Sequence, residues 1–146
     1  MGNCVVYSTK NIGGEIVRRT GSFIFMLVLL PSVLFAQNQS GIQVENIAVC
    51  TSVENRQPIG TDSVFTADIG KLYCFSKLKS ETDTSEISHV WFYQDKQMAK
   101  IDLTMKAKSW RTWSYKTILP SWKGNWRVEV QDSNGNVISS IPFKVE

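Results

Sequence analysis

The feature that most constrains the fold is a series of short runs of β-branched and aromatic residues, separated by turn residues, between residue 43 and the C-terminus. No stretch of this region has the apolar period of an amphipathic helix, whereas residues 97–105 place Ala99, Ile101, Leu103 and Met105 at a period of two. Such runs are typical of half-buried strands. We predict strands at residues 43–53, 63–69, 71–78, 87–93, 97–105, 110–118, 126–131 and 137–145.

Turn residues between these runs indicate hairpins. Asn134-Gly135 is the strongest such signal, because this pair supplies the positive φ angles of a tight hairpin. Asp95-Lys96 predicts another turn, and residues 56–62 predict a loop. Seven or eight short strands in about 110 residues predict an all-β fold, a mainly antiparallel, immunoglobulin-like β-sandwich.

The N-terminal part has a different composition. Residues 23–36 are uncharged and mostly apolar, Arg18 and Arg19 precede them, and polar residues follow Ala36. This pattern predicts a signal peptide over residues 1–36, and the run is short of the about 20 apolar residues that a spanning helix needs. The alternative is an uncleaved membrane anchor. We therefore expect a signal peptide at 1–36, a linker at 37–43 and one domain at 44–146.

Charge and cysteine content exclude several classes of function. The formal net charge of the chain is +3, and residues 37–146 carry 13 basic and 12 acidic side chains, so we expect no nucleic-acid partner. With a single histidine we also expect no metal site and no cofactor. Cys50 and Cys74 remain after the signal peptide, and an even pair in an exported domain predicts a disulfide; two buried free thiols are the alternative.

Several segments, in chain order, resemble a known family. They are VENRQP at 53–58, LYCF at 72–75, HVW at 89–91, WRTWS at 110–114, GNWRV at 124–128, and Asp132 with Gly135 leading to Phe143. Over residues 44–145 the chain resembles DUF2914, a bacterial domain of unknown function. The resemblance implies an exported or membrane-anchored protein and no particular biochemical activity. We expect a periplasmic or secreted location, with inner-membrane anchoring as the second choice.

Tryptophan is the residue type that most suggests a binding surface. All five tryptophans lie between positions 91 and 126. Because side chains alternate along a strand, Trp110 and Trp113 must face opposite sides of theirs, and Arg111 shares the side of Trp113. Trp and Arg are enriched at binding hot spots, and burial in the core and at its edge is the plainer interpretation of the tryptophans. The candidate binding residues are Trp110, Arg111, Trp113, Trp122, His89 and Arg56.

Catalysis has little support in the sequence. There is no G-x-S-x-G turn and no glycine-rich phosphate loop, and the acidic residues are scattered. We therefore expect no catalytic residues and a non-catalytic, exported cell-envelope binding module, whose ligand is a protein partner or a glycan. The alternatives are a small envelope hydrolase that uses His89 and a purely structural domain. The sequence does not indicate an oligomeric state, and it indicates contact with a membrane only if the leader is retained.

Overall fold

A computed structural model describes residues 41–146 as a succession of strands. These are β1 (Ile42–Glu54), β2 (Gln57–Thr61), β3 (Val64–Phe65), β4 (Lys71–Ser80), β5 (Ser85–Tyr93), β6 (Lys96–Met105), β7 (Ser109–Thr117), β8 (Gly124–Asp132) and β9 (Val137–Val145). Among these residues no helix is long and apolar enough to span a membrane.

The strands form two sheets. One has four strands in the order β2-β1-β4-β7, and the other has five in the order β3-β9-β8-β5-β6. All neighbours are antiparallel except β3, which runs parallel to β9. Consecutive strands β4 and β5 lie in different sheets, as do β6 and β7, so each sheet is completed by segments distant in sequence.

Three hairpin turns depend on left-handed backbone. Asn55 and Arg56 connect β1 to β2 with φ of 50° and 59°, and Gln94 and Asp95 connect β5 to β6 with φ of 45° and 65°. Two consecutive positive φ angles are the mark of the two-residue turn that suits the twist of a hairpin. At the β8–β9 turn Gly135 has a φ of 83°, and one Asp132 carboxylate oxygen accepts the backbone N–H groups of residues 134 and 136.

The core lies between the sheets. Along β4, Leu72, Cys74 and Leu78 point inward and are fully buried. Trp91 and Val128 face them from the five-stranded sheet. Phe143 joins this layer, with its ring centroid 6.2 Å from that of Trp91 and nearly perpendicular to it.

The structure confirms the predicted all-β sandwich, with nine strands instead of seven or eight. The additional element is β2, in the segment expected to be a loop, and the strand predicted at residues 63–69 is reduced to the two-residue β3. Immunoglobulin-like connectivity stays a prediction. The predicted signal peptide, residues 1–36, lies outside the described residues, and β1 begins at Ile42, within the segment expected to be a linker.

Candidate functional site

The candidate site is the outer surface of the four-stranded sheet, where four aromatic rings cover β4 and β7. Tyr73 pairs with Tyr115 and Phe75 pairs with Trp113, and paired residues of neighbouring strands point to the same side. Tyr115 is 56% exposed and Trp113 is 38% exposed, whereas Phe75 is buried beside them. We name Tyr73, Phe75, Trp113 and Tyr115 the aromatic face.

Strand alternation explains why these rings lie outside. Trp110, Thr112 and Ser114 occupy the inward side of β7, so the outward side carries Arg111, Trp113 and Tyr115. The structure thereby confirms the predicted separation of the two tryptophans of this strand. The outward positions of an antiparallel strand are usually polar, so two exposed aromatic rings there call for an explanation.

Cations border the aromatic face. Lys71 lies with its Nζ 4.4 Å from the ring centroid of Tyr115. Arg111 pairs with Lys77 across the two strands, and Lys77 is 2.9 Å from the Glu45 carboxylate. The pKa of Glu45 is lowered by its hydrogen bond and charge interaction with Lys77, and further by Lys79 and Arg111. We name the four cations around the aromatic face, Lys71, Lys77, Lys79 and Arg111, the basic rim.

The other candidate binding residues do not all join this face. Trp110 is partly buried against the core cluster of Leu78, and Trp122 is partly buried against the cluster of Trp91. The Trp122 carbonyl accepts the indole N–H of Trp126 at 3.0 Å. Arg56 lies in the β1–β2 turn, and its guanidinium is 5.6 Å from the ring centroid of Trp110. Trp110 and Trp122 therefore pack toward the core, and of the three candidate tryptophans Trp113 alone lies on the aromatic face.

His89 lies between the two sheets and is fully buried. Its Nε2 is hydrogen-bonded to the Ser76 hydroxyl of β4, and its Nδ1 to the Ser114 hydroxyl of β7, both at 2.9 Å. Ser114 also accepts the indole N–H of Trp91 at 3.1 Å. These four residues form an inter-sheet network in which every buried polar side chain has a partner.

Burial decides what His89 can do. It lowers the pKa of His89 to about 4, from 6.5 for an exposed imidazole, because the charged form loses its hydration. With no solvent-accessible surface the ring cannot contact a ligand, so its place among the candidate binding residues is wrong. The geometry indicates a structural link between the sheets.

The predicted disulfide is not formed. Cys50 and Cys74 are both free and buried. Cys50 pairs with Tyr73 on β4, and Cys74 pairs with Val49 on β1, so the two thiols point to opposite sides of the same sheet. Cys50 is thus paired with the residue before Cys74, and this one-residue offset keeps the two thiols apart. The spacing of the cysteines in the sequence would not by itself prevent a disulfide. Burial raises the pKa of both thiols.

The outer surface of the five-stranded sheet has a different character. A shallow cavity there is lined by Phe92, Gln94, Asp95, Asn125, Trp126, Arg127 and Pro142. The Arg127 guanidinium lies 4.0 Å from the ring centroid of Phe92 and pairs with both Asp95 and Glu129. A ligand in this cavity would have to compete with two carboxylates for the Arg127 guanidinium. We therefore regard the aromatic face as the stronger candidate binding surface.

Within residues 41–146 no group of three or more His, Cys, Asp or Glu side chains is arranged to hold a metal ion.

Sequence reasoning named Trp113 and Arg111 but not Tyr73, Tyr115 or Lys71 as candidate binding residues. The signal that finds Tyr115 is the alternation that places it beside Trp113. Tyr73 and Lys71 belong to β4, and only the pairing of β4 with β7 brings them to the same surface. The sequence therefore predicts which residues of β7 lie on the aromatic face. It does not predict the residues of β4, because these depend on which strands pair.

Comparison with known proteins gives a family match over part of the chain and no activity. No curated protein matches the chain. The solved structures that resemble it include a mutant β-glucosidase from Listeria innocua in complex with laminaribiose, at a TM-score of 0.40 and 10% identity over 72% of this chain and 16% of that one. Another is a β-glucosidase from Kluyveromyces marxianus, at 0.42 and 11% over 72% of this chain and 14% of that one. The chain thus spans about a sixth or less of these enzymes, and similarity at this level indicates no shared function.

The family model that matches is DUF2914, a protein of unknown function, over residues 84–145. This segment holds β5 to β9, with His89 and all five tryptophans, and leaves out β1 to β4, where the resemblance was also expected. The match confirms the family resemblance over residues 84–145, and the chain carries the sequence pattern of DUF2914 there.

Proposed function

We propose that this protein is a non-catalytic binding module, exported to the cell envelope, that contacts its ligand through the aromatic face and Arg111. The observation that carries the proposal is the exposure of Trp113 and Tyr115, 38% and 56%, on the outward side of a sheet whose core is already complete on its other side. Exposed aromatic rings beside an arginine are the usual composition of a binding hot spot.

Rigid aromatic side chains suit this role for a physical reason. Trp and Tyr rotate about two side-chain bonds only, so they provide a large contact area at a small loss of conformational entropy. Tyr73 and Tyr115 contact each other with ring centroids 5.8 Å apart, and Phe75, which pairs with Trp113, is buried on the same side of the sheet. The face is therefore ordered before a ligand arrives, which lowers the cost of binding.

The hydrolase alternative has less support. Its general base would be His89, which has no solvent-accessible surface and whose two ring nitrogens are both hydrogen-bonded to serine hydroxyls. A general base must reach a proton of the substrate, and a fully buried imidazole does not. A purely structural domain remains the alternative that experiment must separate from the binding module.

The test is capture of ligands from envelope extract by the full chain, with paired variants. Trp113→Ala removes the centre of the aromatic face, and Phe92→Ala removes an aromatic ring from the outer surface of the other sheet. We expect a ligand, protein or glycan, that the wild type and Phe92→Ala retain and Trp113→Ala loses, with affinity lowered by about 2 kcal/mol or roughly thirtyfold. Equal capture by all three forms would contradict the proposal.

A further inference from the structure

The edge of the four-stranded sheet adds a second recognition element to the aromatic face. β7 (Ser109–Thr117) ends the order β2-β1-β4-β7, so within residues 41–146 no strand pairs with its other side. Its nine residues pair with β4 without a register shift, and they include no proline. A regular edge of this kind offers free backbone N–H and C=O groups to an incoming strand.

The edge of the other sheet shows how such a strand is normally protected. β6 (Lys96–Met105) has a register shift against β5, and its outward positions carry Lys100, Asp102 and Thr104. Irregular pairing and charged side chains are devices that discourage edge pairing. β7 instead presents Trp113 and Tyr115 on its outward side.

A strand added to β7 would place its own side chains directly beside these rings. Cross-strand neighbours have Cβ atoms roughly 5 Å apart, and aromatic residues stabilise such pairs. The aromatic face would thus contact every second side chain of the added segment, while the backbone of that segment forms hydrogen bonds with β7. This division of labour is the general basis of peptide recognition by strand addition.

The charge of the surface selects the sign of the ligand. The basic rim has four cations, and only Lys77 has an ion-pair partner among the described carboxylates, namely Glu45. Lys79 and Arg111 act on that same carboxylate from a longer range. The outer surface of the five-stranded sheet is different, since Arg127 there is held by two carboxylates. A positive surface is complementary to an acidic ligand.

We propose that β7 receives an acidic, extended peptide segment of a partner protein as an additional strand, with its acidic side chains on the basic rim and an apolar side chain against Trp113. This inference rests on the proposed function and names the ligand class of the same site. An anionic glycan has the same charge but lacks a backbone that can pair with β7.

The first experiment selects binders from a random library of ten-residue peptides on the immobilised full chain. Each selected pool is then measured against Trp113→Ala, against Lys79→Glu with Arg111→Glu, and against Lys96→Glu with Lys100→Glu on β6. The two double variants change the net charge equally, so only position distinguishes them. Oligogalacturonate is measured in parallel as the anionic glycan.

We expect pools rich in Asp and Glu whose affinity falls at least tenfold in Trp113→Ala and in the double variant of the basic rim, and less than threefold in the double variant of β6. Raising the salt concentration should weaken the binding, because exposed charges are screened. Pools that need Trp113 but are not acidic would overturn the inference and leave the proposed function standing. The inference that the ligand is a peptide would be overturned if no selected pool needed Trp113, or if oligogalacturonate bound and no peptide did. In either case the capture experiment described under the proposed function tests that function separately.

The second experiment tests strand pairing. In the best peptide, backbone amides are N-methylated at alternate residues, in one version on the even set and in the other on the odd set. Only one set can point toward β7 in an added strand, so we expect one version to lose at least tenfold in affinity and the other to keep it. Equal affinities of the two versions would exclude strand addition.

Discussion

His89 makes folding sensitive to pH, because burial between the two sheets removes the hydration that the charged ring would need and so keeps the ring neutral. Its pKa is about 4 in the folded protein and 6.5 when exposed. Between these two pKa values the unfolded chain binds a proton at His89 and the folded chain does not. The free energy of unfolding therefore decreases as the pH falls below about 6.5, and this contribution is fully lost below about pH 4. The total loss is about 3 kcal/mol.

The measurement is the free energy of unfolding in urea at several pH values, for the wild type and for His89→Gln. Glutamine keeps hydrogen-bonding capacity but does not titrate, and the carboxylates that also titrate in this range are common to both proteins. We expect the wild type to lose more stability than the variant as the pH falls. Parallel curves would show that His89 is not held neutral by the fold.

Ser114 has more partners than Ser76, and this difference predicts unequal effects of removing each hydroxyl. Ser114→Ala leaves both the His89 Nδ1 and the Trp91 indole N–H without a partner, whereas Ser76→Ala leaves only the His89 Nε2. An unsatisfied buried polar group costs about 1–3 kcal/mol. We therefore expect Ser114→Ala to be the more destabilising change in urea denaturation; equal losses would mean that the Trp91 bond contributes nothing.

At the scale of elements, the hairpin turns carry backbone strain that substitution can relieve. Gln94 has a φ of 45°, a region in which asparagine is much more frequent than glutamine. Gln94→Asn keeps the polar character of the turn and should raise the free energy of unfolding by about 0.5 kcal/mol. Urea denaturation of the wild type and the variant measures this difference in the free energy of unfolding.

The matched control lies in the β8–β9 turn. Asn134 is not among the residues with positive φ, so Asn134→Gly should destabilise by about 0.5–1 kcal/mol through the greater freedom of the unfolded chain. If Gln94→Asn lowered the free energy of unfolding and Asn134→Gly raised it, the backbone strain would lie at Asn134 and not at Gln94.

Local pattern predicted the elements, and long-range pairing decided how they combine. The period of two along residues 97–105 and the alternation along β7 are local properties, so both were readable in the sequence. The turns at Asn55-Arg56 and Gln94-Asp95 lack the glycine that marks such turns, so the first was expected as a loop and the second was placed one residue late. The register that separates Cys50 from Cys74, and the pairing that completes the aromatic face, join strands more than twenty residues apart in the chain, and no local rule fixes them.

At the scale of the whole domain, the two outer surfaces differ while a common core joins the sheets. One surface balances Arg127 with Asp95 and Glu129, and the other exposes aromatic rings within an excess of cations. The network of His89, Ser76, Ser114 and Trp91 lies between them and connects β5 to both β4 and β7. Polar bonds between the sheets have fixed geometry, so they hold β4 and β7, which carry the aromatic face, in one position relative to the five-stranded sheet.

This arrangement predicts that the fold depends less on Trp113 than on Trp126. Trp126 is 2% exposed, stacks on Phe143 at 5.9 Å and donates its indole N–H to the Trp122 carbonyl, so Trp126→Ala should cost about 3–5 kcal/mol. Trp113 is 38% exposed, and Trp113→Ala should cost only about 1–2 kcal/mol. Urea denaturation of both variants measures the difference. If the two losses were equal, Trp113 would be needed for folding, its exposure would have a structural explanation, and the binding role of the aromatic face would lose its main support.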